Sequence, residues 1–241
     1  GEQPKFTLKV KEEGPSRGVL VKFSGEVSDP VQARWGDLLR AEHTANRVLL
    51  REGIPAARTE IIEEEGRVFL LADRLDRTDR GGRRAMVSLY AVNAAFGDVN
   101  RTWADSAEDL HAQGWLDAGN ARQLSRIWAF GRRIGNTDMH DGNMSLFLSR
   151  GRPFPLTPVY DMTTMALAPR ADGSLPDALP TLPPLPPEHR AADDFAEALD
   201  RRFRREVLDD ERTEEPHRAV AVGEDVREVN RDGSLARVDA Q

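Results

Sequence analysis

The apolar positions of the chain change their period along its length, and the change divides it into parts. Lys5–Val10 and Gly18–Phe23 are short apolar runs on either side of KEEGPSR, a turn-rich connector, so they predict a β-hairpin. From Asp29-Pro30 the period becomes helical, with Trp35, Leu38, Leu39, Ala45 and Leu49 on one stripe. The aspartate is placed to cap that helix, the proline suits its first turn, and Gly53 ends it. Ala57–Ile62 and Arg67–Ala72 predict a second hairpin around EEEG. From residue 85 the pattern is helical over Ala85–Phe96, Ser106–Gln113 and Asn120–Ile134, where Leu124, Ile127, Trp128 and Ile134 keep the period. Met144–Leu148 and Phe154–Tyr160 alternate as a hairpin across SRGRP. Residues 169–187 hold seven of the fifteen prolines and predict an extended, surface-running segment. Glu188–Asp209 predicts a last helix with Phe195, Leu199 and Phe203 on one side. Glu211–Gln241 is charged and aperiodic, which predicts disorder.

Two polar residues interrupt this pattern. Glu42 falls on the apolar stripe of the first helix, at helical spacing from Trp35 and Leu39, and a carboxylate there needs a partner. Lys22, inside the apolar strand GVLVKF, is the candidate. The plainer alternatives are a strand lysine that faces water and a glutamate at the edge of its stripe. Hydrophobicity also stops abruptly at Asp73-Arg74-Leu75-Asp76-Arg77, either an ordinary strand end or the passage from a small sheet to a helical lobe.

Charge and composition narrow the classes. A net charge of -7 offers no basic field for nucleic acid, so direct DNA binding is not expected. The chain has no cysteines, which removes disulfides and thiolate metal sites. No apolar run is long enough for a membrane span and no signal-peptide pattern opens the chain, so the expected location is cytoplasmic. Beginning at Gly1 without a methionine, the chain reads as a fragment of something longer.

The chemistry concentrates in Ile134–Asp161, IGNTDMHDGNMSLFLSRGRPFPLTPVYD. Asp138 and Asn143 are separated by four residues, with His140 between them, and Asp161 follows the apolar hairpin. Phosphoryl transfer needs such a set: a carboxylate to orient the attacking hydroxyl, and an amide with a second carboxylate as hard oxygen ligands for magnesium. Protein-kinase catalytic loops space their aspartate and asparagine in the same way. His140-Asp141 also invites a His-Asp metal phosphohydrolase, but such a site needs more imidazoles than the five histidines here supply. Asp141 is instead expected to be an exposed loop residue.

The block GNTDMHDGNMSLF with LTPVYD resembles the HipA family of bacterial serine/threonine kinases, toxins of type II toxin–antitoxin pairs. VLVKF, AEHTANRVLLREGIPAARTEII and LADRLDR match in the same order, and Gly1-Glu2-Gln3-Pro4-Lys5 resembles the end of the family's phosphate loop. The resemblance covers roughly residues 1–168. It implies an α+β, two-lobed kinase-like fold: a small antiparallel-sheet N-lobe over 1–76, a mainly helical C-lobe over 77–209 and a tail over 210–241. It implies ATP and Mg2+ as cofactors, with Asp138 as catalytic base and Asn143 and Asp161 as metal ligands. Lys22, paired with Glu42, would hold the α- and β-phosphates; Gln3 and Lys5 would belong to the phosphate loop. Asp73 and Leu75 would frame adenine and ribose, with His140 beside the phosphates. The implied partners are a protein substrate, such as an aminoacyl-tRNA synthetase, and a helix-turn-helix antitoxin through which DNA is met indirectly. The resemblance further implies that the phosphate loop begins upstream of Gly1, that an N-terminal subdomain precedes it, and that the C-lobe is shortened. Two other function classes stand beside this one: a catalytically weak binding module that engages an antitoxin or nucleotide, and a small-molecule phosphotransferase.

Overall fold

A computed structural model describes residues 4–11, 16–78, 81–98 and 101–210, with two short strands beyond. β1 (Lys5–Val10) and β2 (Arg17–Phe23) pair antiparallel as the alternation predicts, Phe6 facing Val21 and Lys5 facing Lys22. With β3 (Thr59–Glu64) and β4 (Arg67–Asp73) they form a four-stranded antiparallel sheet in the order β1-β2-β4-β3. Strand alternation gives the sheet two apolar faces. One gathers Val19, Val21 and Leu71 with Phe6, Val10, Ile62 and Phe69. The other packs Val68, Leu70 and Ile61 on Leu39 of α1 (Pro30–Arg51). Asp29 caps α1, accepting from the N–H groups of Val31 and Gln32, and Gly53 follows it in the left-handed region.

The other side of α1, through Ala41, Ala45, Val48 and Leu49, enters the main core. That core is built by α2 (Leu89–Phe96), α3 (Trp103–Ala112), α4 (Ala118–Arg133) and α5 (Arg190–Asp210). Leu124, Ile127, Phe130 and Ile134 from α4 and its end are fully enclosed, and Phe203 of α5 meets Phe130 edge-on. One helix thus belongs to both cores and fixes the sheet against the helical lobe.

Two local expectations fail. Residues 86–88 are not helical: β5 (Met86–Ser88) pairs with β6 (Ser145–Phe147), and only then does α2 begin, capped by Ser88. The expected partner of β6, Phe154–Tyr160, is extended but joins it by a single bridge, Leu146 to Leu156. Pro153, Pro155 and Pro158 lack the donors a regular strand would use there.

The proline-rich segment 169–187 runs over the surface, two of its carbonyls held by arginines: Arg34 donates to Pro176 and Arg132 to Pro183, and Arg34 also donates to Leu167 just before it. Of the residues beyond α5, β7 (Arg227–Val229) and β8 (Leu235–Arg237) pair antiparallel. The expectation of disorder covers all of 211–241; these two strands depart from it, and the rest of that stretch lies outside the described residues. Among the described residues no helix is long and apolar enough to cross a membrane.

Candidate active site

Alternation along β2 turns Lys22 toward α1, while the helical period turns Glu42 toward the sheet. The two meet. Lys22 Nζ donates to both Glu42 oxygens, at 2.8 and 2.7 Å, and to the carboxylate of Asp161. Lys22 is 4% exposed and Glu42 3%, so the outward-facing alternatives do not hold. Burial alone would lower the Lys22 pKa, but the charges of Glu42 and Asp161 outweigh it and hold the ammonium well above its ordinary value. Burial would likewise raise Asp161, yet Lys22, with Lys5 behind it, holds that carboxylate below its usual range. Complete burial pushes Glu42 up, against the pull of Lys22. Lys5 faces Lys22 across the β1–β2 ladder and adds its charge to the same side of the sheet.

The segment carrying Asp138 leaves α4 through Gly135, whose φ of 74° is a left-handed conformation that glycine adopts without steric cost. Asn136 follows, buried. Its side-chain oxygen accepts from the Asp138 N–H at 3.0 Å, and its amide donates to the Asp161 carbonyl at 3.3 Å. This one side chain joins the loop of Asp138 to the backbone of Asp161. Asp161 itself has φ 55°, rare for a residue with a Cβ, and such strain persists only where surroundings enforce it. Asn143 donates from Nδ2 to the Asp138 carbonyl at 2.8 Å, which leaves its side-chain oxygen as the free acceptor. His140 accepts the Gly142 N–H on Nδ1 at 3.0 Å, capping the turn Asp141–Asn143, and its Nε2 lies 3.7 Å from the exposed Asp138 carboxylate.

Not every expected residue joins this cluster. The Asp73 carboxylate lies on the opposite face of the sheet, where Arg17 holds it together with Glu60. Only its main chain, with half-buried Leu75 just beyond, stands at the passage between the lobes. Gln3 lies outside the described residues. Asp141 is not exposed: it is 7% accessible and accepts from Asn93 of α2 at 2.8 Å, and burial pushes its carboxyl up. It anchors the loop from below. Behind the loop, the Tyr160 hydroxyl reaches Ser145 at 2.8 Å and donates to the Gly142 carbonyl at 3.2 Å. Asn136, Asn93 and Tyr160 carried no expectation of their own.

The donor set bears on which groups could bind. Among the described residues no three His, Cys, Asp or Glu side chains come together as a cage for a metal. Beside the exposed Asp138 carboxylate, the site offers the carboxylate of Asp161 and the side-chain oxygen of Asn143. That set suits magnesium carried on phosphates, which takes one or two protein oxygens and keeps its other positions for phosphate and water. Two lysines on the same sheet face, Lys22 and Lys5, suit the phosphates themselves.

The fold is that of a two-lobed, kinase-like α+β protein, a small antiparallel sheet with one helix joined to a mainly helical lobe. Residues 1–228 match the HipA-like C-terminal domain, and the chain belongs to that family. It is 43% identical over 179 residues to toxin YjjJ of Escherichia coli K12, a match covering 74% of this chain and 40% of that protein. Among solved structures it is similar to HipA in the Shewanella oneidensis MR-1 complex of HipA, HipB and operator DNA. The TM-score is 0.54 at 18% identity, over 87% of this chain and 66% of that one. A lesser likeness is to the Helicobacter pylori proinflammatory kinase CtkA, with TM-score 0.46 and 12% identity over 65% of this chain and 52% of that one. The chain therefore spans less than half the length of its curated relative.

Proposed function

We propose that this chain is the catalytic part of an ATP- and Mg2+-dependent serine/threonine protein kinase of HipA type, with residues 1–76 as N-lobe and 77–209 as C-lobe. The observation that carries the reading is the ammonium of Lys22 held between Glu42 and Asp161, contributed by a strand, a helix and a loop. Lys22 holds the α- and β-phosphates of ATP, Glu42 fixes Lys22, and Lys5 adds charge for the phosphates. Asp161 and the Asn143 side-chain oxygen would hold magnesium, which would supply positive charge beside the phosphates. Asp138 orients the substrate hydroxyl and accepts its proton; its exposure leaves room for an incoming side chain. His140 lies beside the phosphates, and the main chain at Asp73 and Leu75 lines the adenine. In the cell this chemistry would act as a growth-inhibiting toxin on a cytoplasmic protein, an aminoacyl-tRNA synthetase among the candidates. The Shewanella relative is found with HipB and operator DNA; a helix-turn-helix antitoxin is proposed here too, with DNA met only through it.

Thermal shift with ATP, with and without magnesium, tests the nucleotide site, because ligand bound to the native state raises apparent stability by mass action. A magnesium-dependent rise in Tm that Asp161→Ala abolishes is the expected result. Asp138→Ala should keep that rise yet lose phosphoryl transfer, at least about a hundredfold in kcat. No shift in the wild-type chain would favour the binding-module class instead.

A further inference from the structure

Asp138 is exposed, so packing around its side chain does little to fix it. Its main chain is held instead, by two asparagines. Asn143 Nδ2 donates to the Asp138 carbonyl at 2.8 Å, and Asn136 Oδ1 accepts the Asp138 N–H at 3.0 Å. Asn143 belongs to the magnesium side of the proposed site. Asn136 has no part in the proposed chemistry, yet it leads to the same side, because its Nδ2 donates to the Asp161 carbonyl at 3.3 Å. The candidate base is thus tethered to the candidate metal ligands through both polar groups of its main chain.

Asn136 is built into this place and is 5% exposed. Its own N–H donates to the Gly131 carbonyl of α4 at 2.8 Å, and its Nδ2 lies 3.6 Å from Met162 Sδ. Gly131 keeps the space beneath open: a Cβ there would collide with Met139 Sδ and stand 3.2 Å from Met162 Sδ. Met139 follows Asp138 and Met162 follows Asp161, so two methionines seat both stretches on the same turn of α4. The partners also fix which way the Asn136 amide points, since a backbone N–H meets its oxygen and a carbonyl meets its NH2. Asp161 has a second support in Lys22, so loss of the Asn136 bonds falls mainly on Asp138.

We propose that Asn136 is a positioning residue for phosphoryl transfer, which sets Asp138 against the backbone of Asp161. Its purpose rests on the kinase reading, but the tether exists without nucleotide, so the two can be tested apart. The first measurement is amide hydrogen exchange by NMR on the wild-type chain without nucleotide. The Asp138 N–H should be protected although its side chain is exposed, and Asn136→Ala should speed its exchange at least about tenfold. Exchange of that N–H at the free-peptide rate in the wild-type chain overturns the proposal, whatever the variants do.

The second measurement uses Asn136→Asp, which keeps the shape. Ionised, the new carboxylate still accepts the Asp138 N–H but turns an oxygen toward the Asp161 carbonyl; protonated, it donates there again. Burial pushes such a carboxyl up toward neutral pH. With wild type measured at each pH, kcat of Asn136→Asp should lie at least about tenfold below it at about pH 8 and approach it at about pH 6. Asn136→Ala should show the loss at both. KM for ATP and the magnesium-dependent rise in Tm should stay close to wild type in both variants. A loss in Asn136→Asp that does not change with pH, or a KM that rises as much as kcat falls, overturns the positioning role and leaves Asn136 a structural residue. A wild-type chain with a protected Asp138 N–H but no rise in Tm with ATP and magnesium upholds the tether and removes the kinase reading.

Discussion

Lys22 stands where two carboxylates meet, and its loss would isolate both. Glu42 is enclosed, so deleting the ammonium strands a buried charge, and in comparable pairs this costs about 3–5 kcal/mol. Lys22→Met should lower the unfolding free energy by about that amount in urea denaturation. Asp161→Ala leaves the Lys22–Glu42 pair intact and removes a side chain 31% exposed, so it should cost about 1 kcal/mol or less. The pH dependence has a definite sign. The Lys22 pKa in the folded chain lies above its ordinary 10.5, so its contribution is complete below that pH and is lost as pH rises through the folded value. Asp161 acts in reverse: its contribution is present above the ordinary 3.8 and is lost as pH falls through its lowered value. Wild-type stability should therefore fall above about pH 10.5 with a limb that Lys22→Met lacks; matching limbs would contradict the role of the ammonium. The Lys22–Glu42 pair was legible in the sequence because a carboxylate on an apolar stripe demands a partner. Asn136 and Asp141 were not. Each is a polar loop residue whose partner, Asp161 or Asn93, lies 25 or 48 positions away, and no local period marks such a bond.

At the scale of elements, the long strands and helices followed their periods, whereas short pieces did not. A three-residue strand such as β5 is too brief to set alternation against helix, and the apolar run through α2 absorbed it. The return arm at 154–160 alternates like a strand, yet its prolines cannot donate into a ladder. Gly135 is the element boundary on which the site depends. It turns the chain out of α4 at φ 74°, its carbonyl accepts the Ala166 N–H at 2.8 Å, and Asn136 begins the loop immediately after. A side chain in that conformation costs about 1–2 kcal/mol. A Cβ there would also stand 2.5 Å from the end of Leu179, which must swing aside. Gly135→Ala should thus lower stability by about 1–2 kcal/mol in urea denaturation. It should reduce kcat more than KM for ATP, because it disturbs the Asp138 side of the site and not the Lys22 side. Equal changes in both would mean that the turn serves folding alone.

Across the whole molecule, the lobes are joined by α1 in both cores, by Lys22 reaching Asp161, and by the proline-rich segment. That segment has few main-chain bonds of its own, because its prolines carry no N–H. Its course is set instead by donors from outside. Arg34 of α1 gives Pro176 a hydrogen bond at 2.5 Å, beside one at 3.0 Å to Leu167 just before the segment, and Arg132 of α4 gives Pro183 one at 3.0 Å. Between them Leu179 lies against Gly135, directly behind the loop of Asp138. The segment therefore ties the helix that carries Glu42 to the helix end that carries the candidate base. Removing Arg34 frees one end of that tie while leaving both cores filled. Hydrogen bonds from a charged donor contribute about 1.5–3 kcal/mol each, so local opening of the segment should become at least about tenfold more populated in Arg34→Ala. Arg170, in the exposed turn within it, offers trypsin a site, and cleavage there follows the open population when reclosing is fast. Arg34→Ala should be cut after Arg170 about tenfold faster than the wild-type chain, with global Tm nearly unchanged. Cleavage at the wild-type rate would mean that the fit of Leu179 and its neighbours holds the segment without Arg34. A large fall in Tm would instead make this tie part of the core.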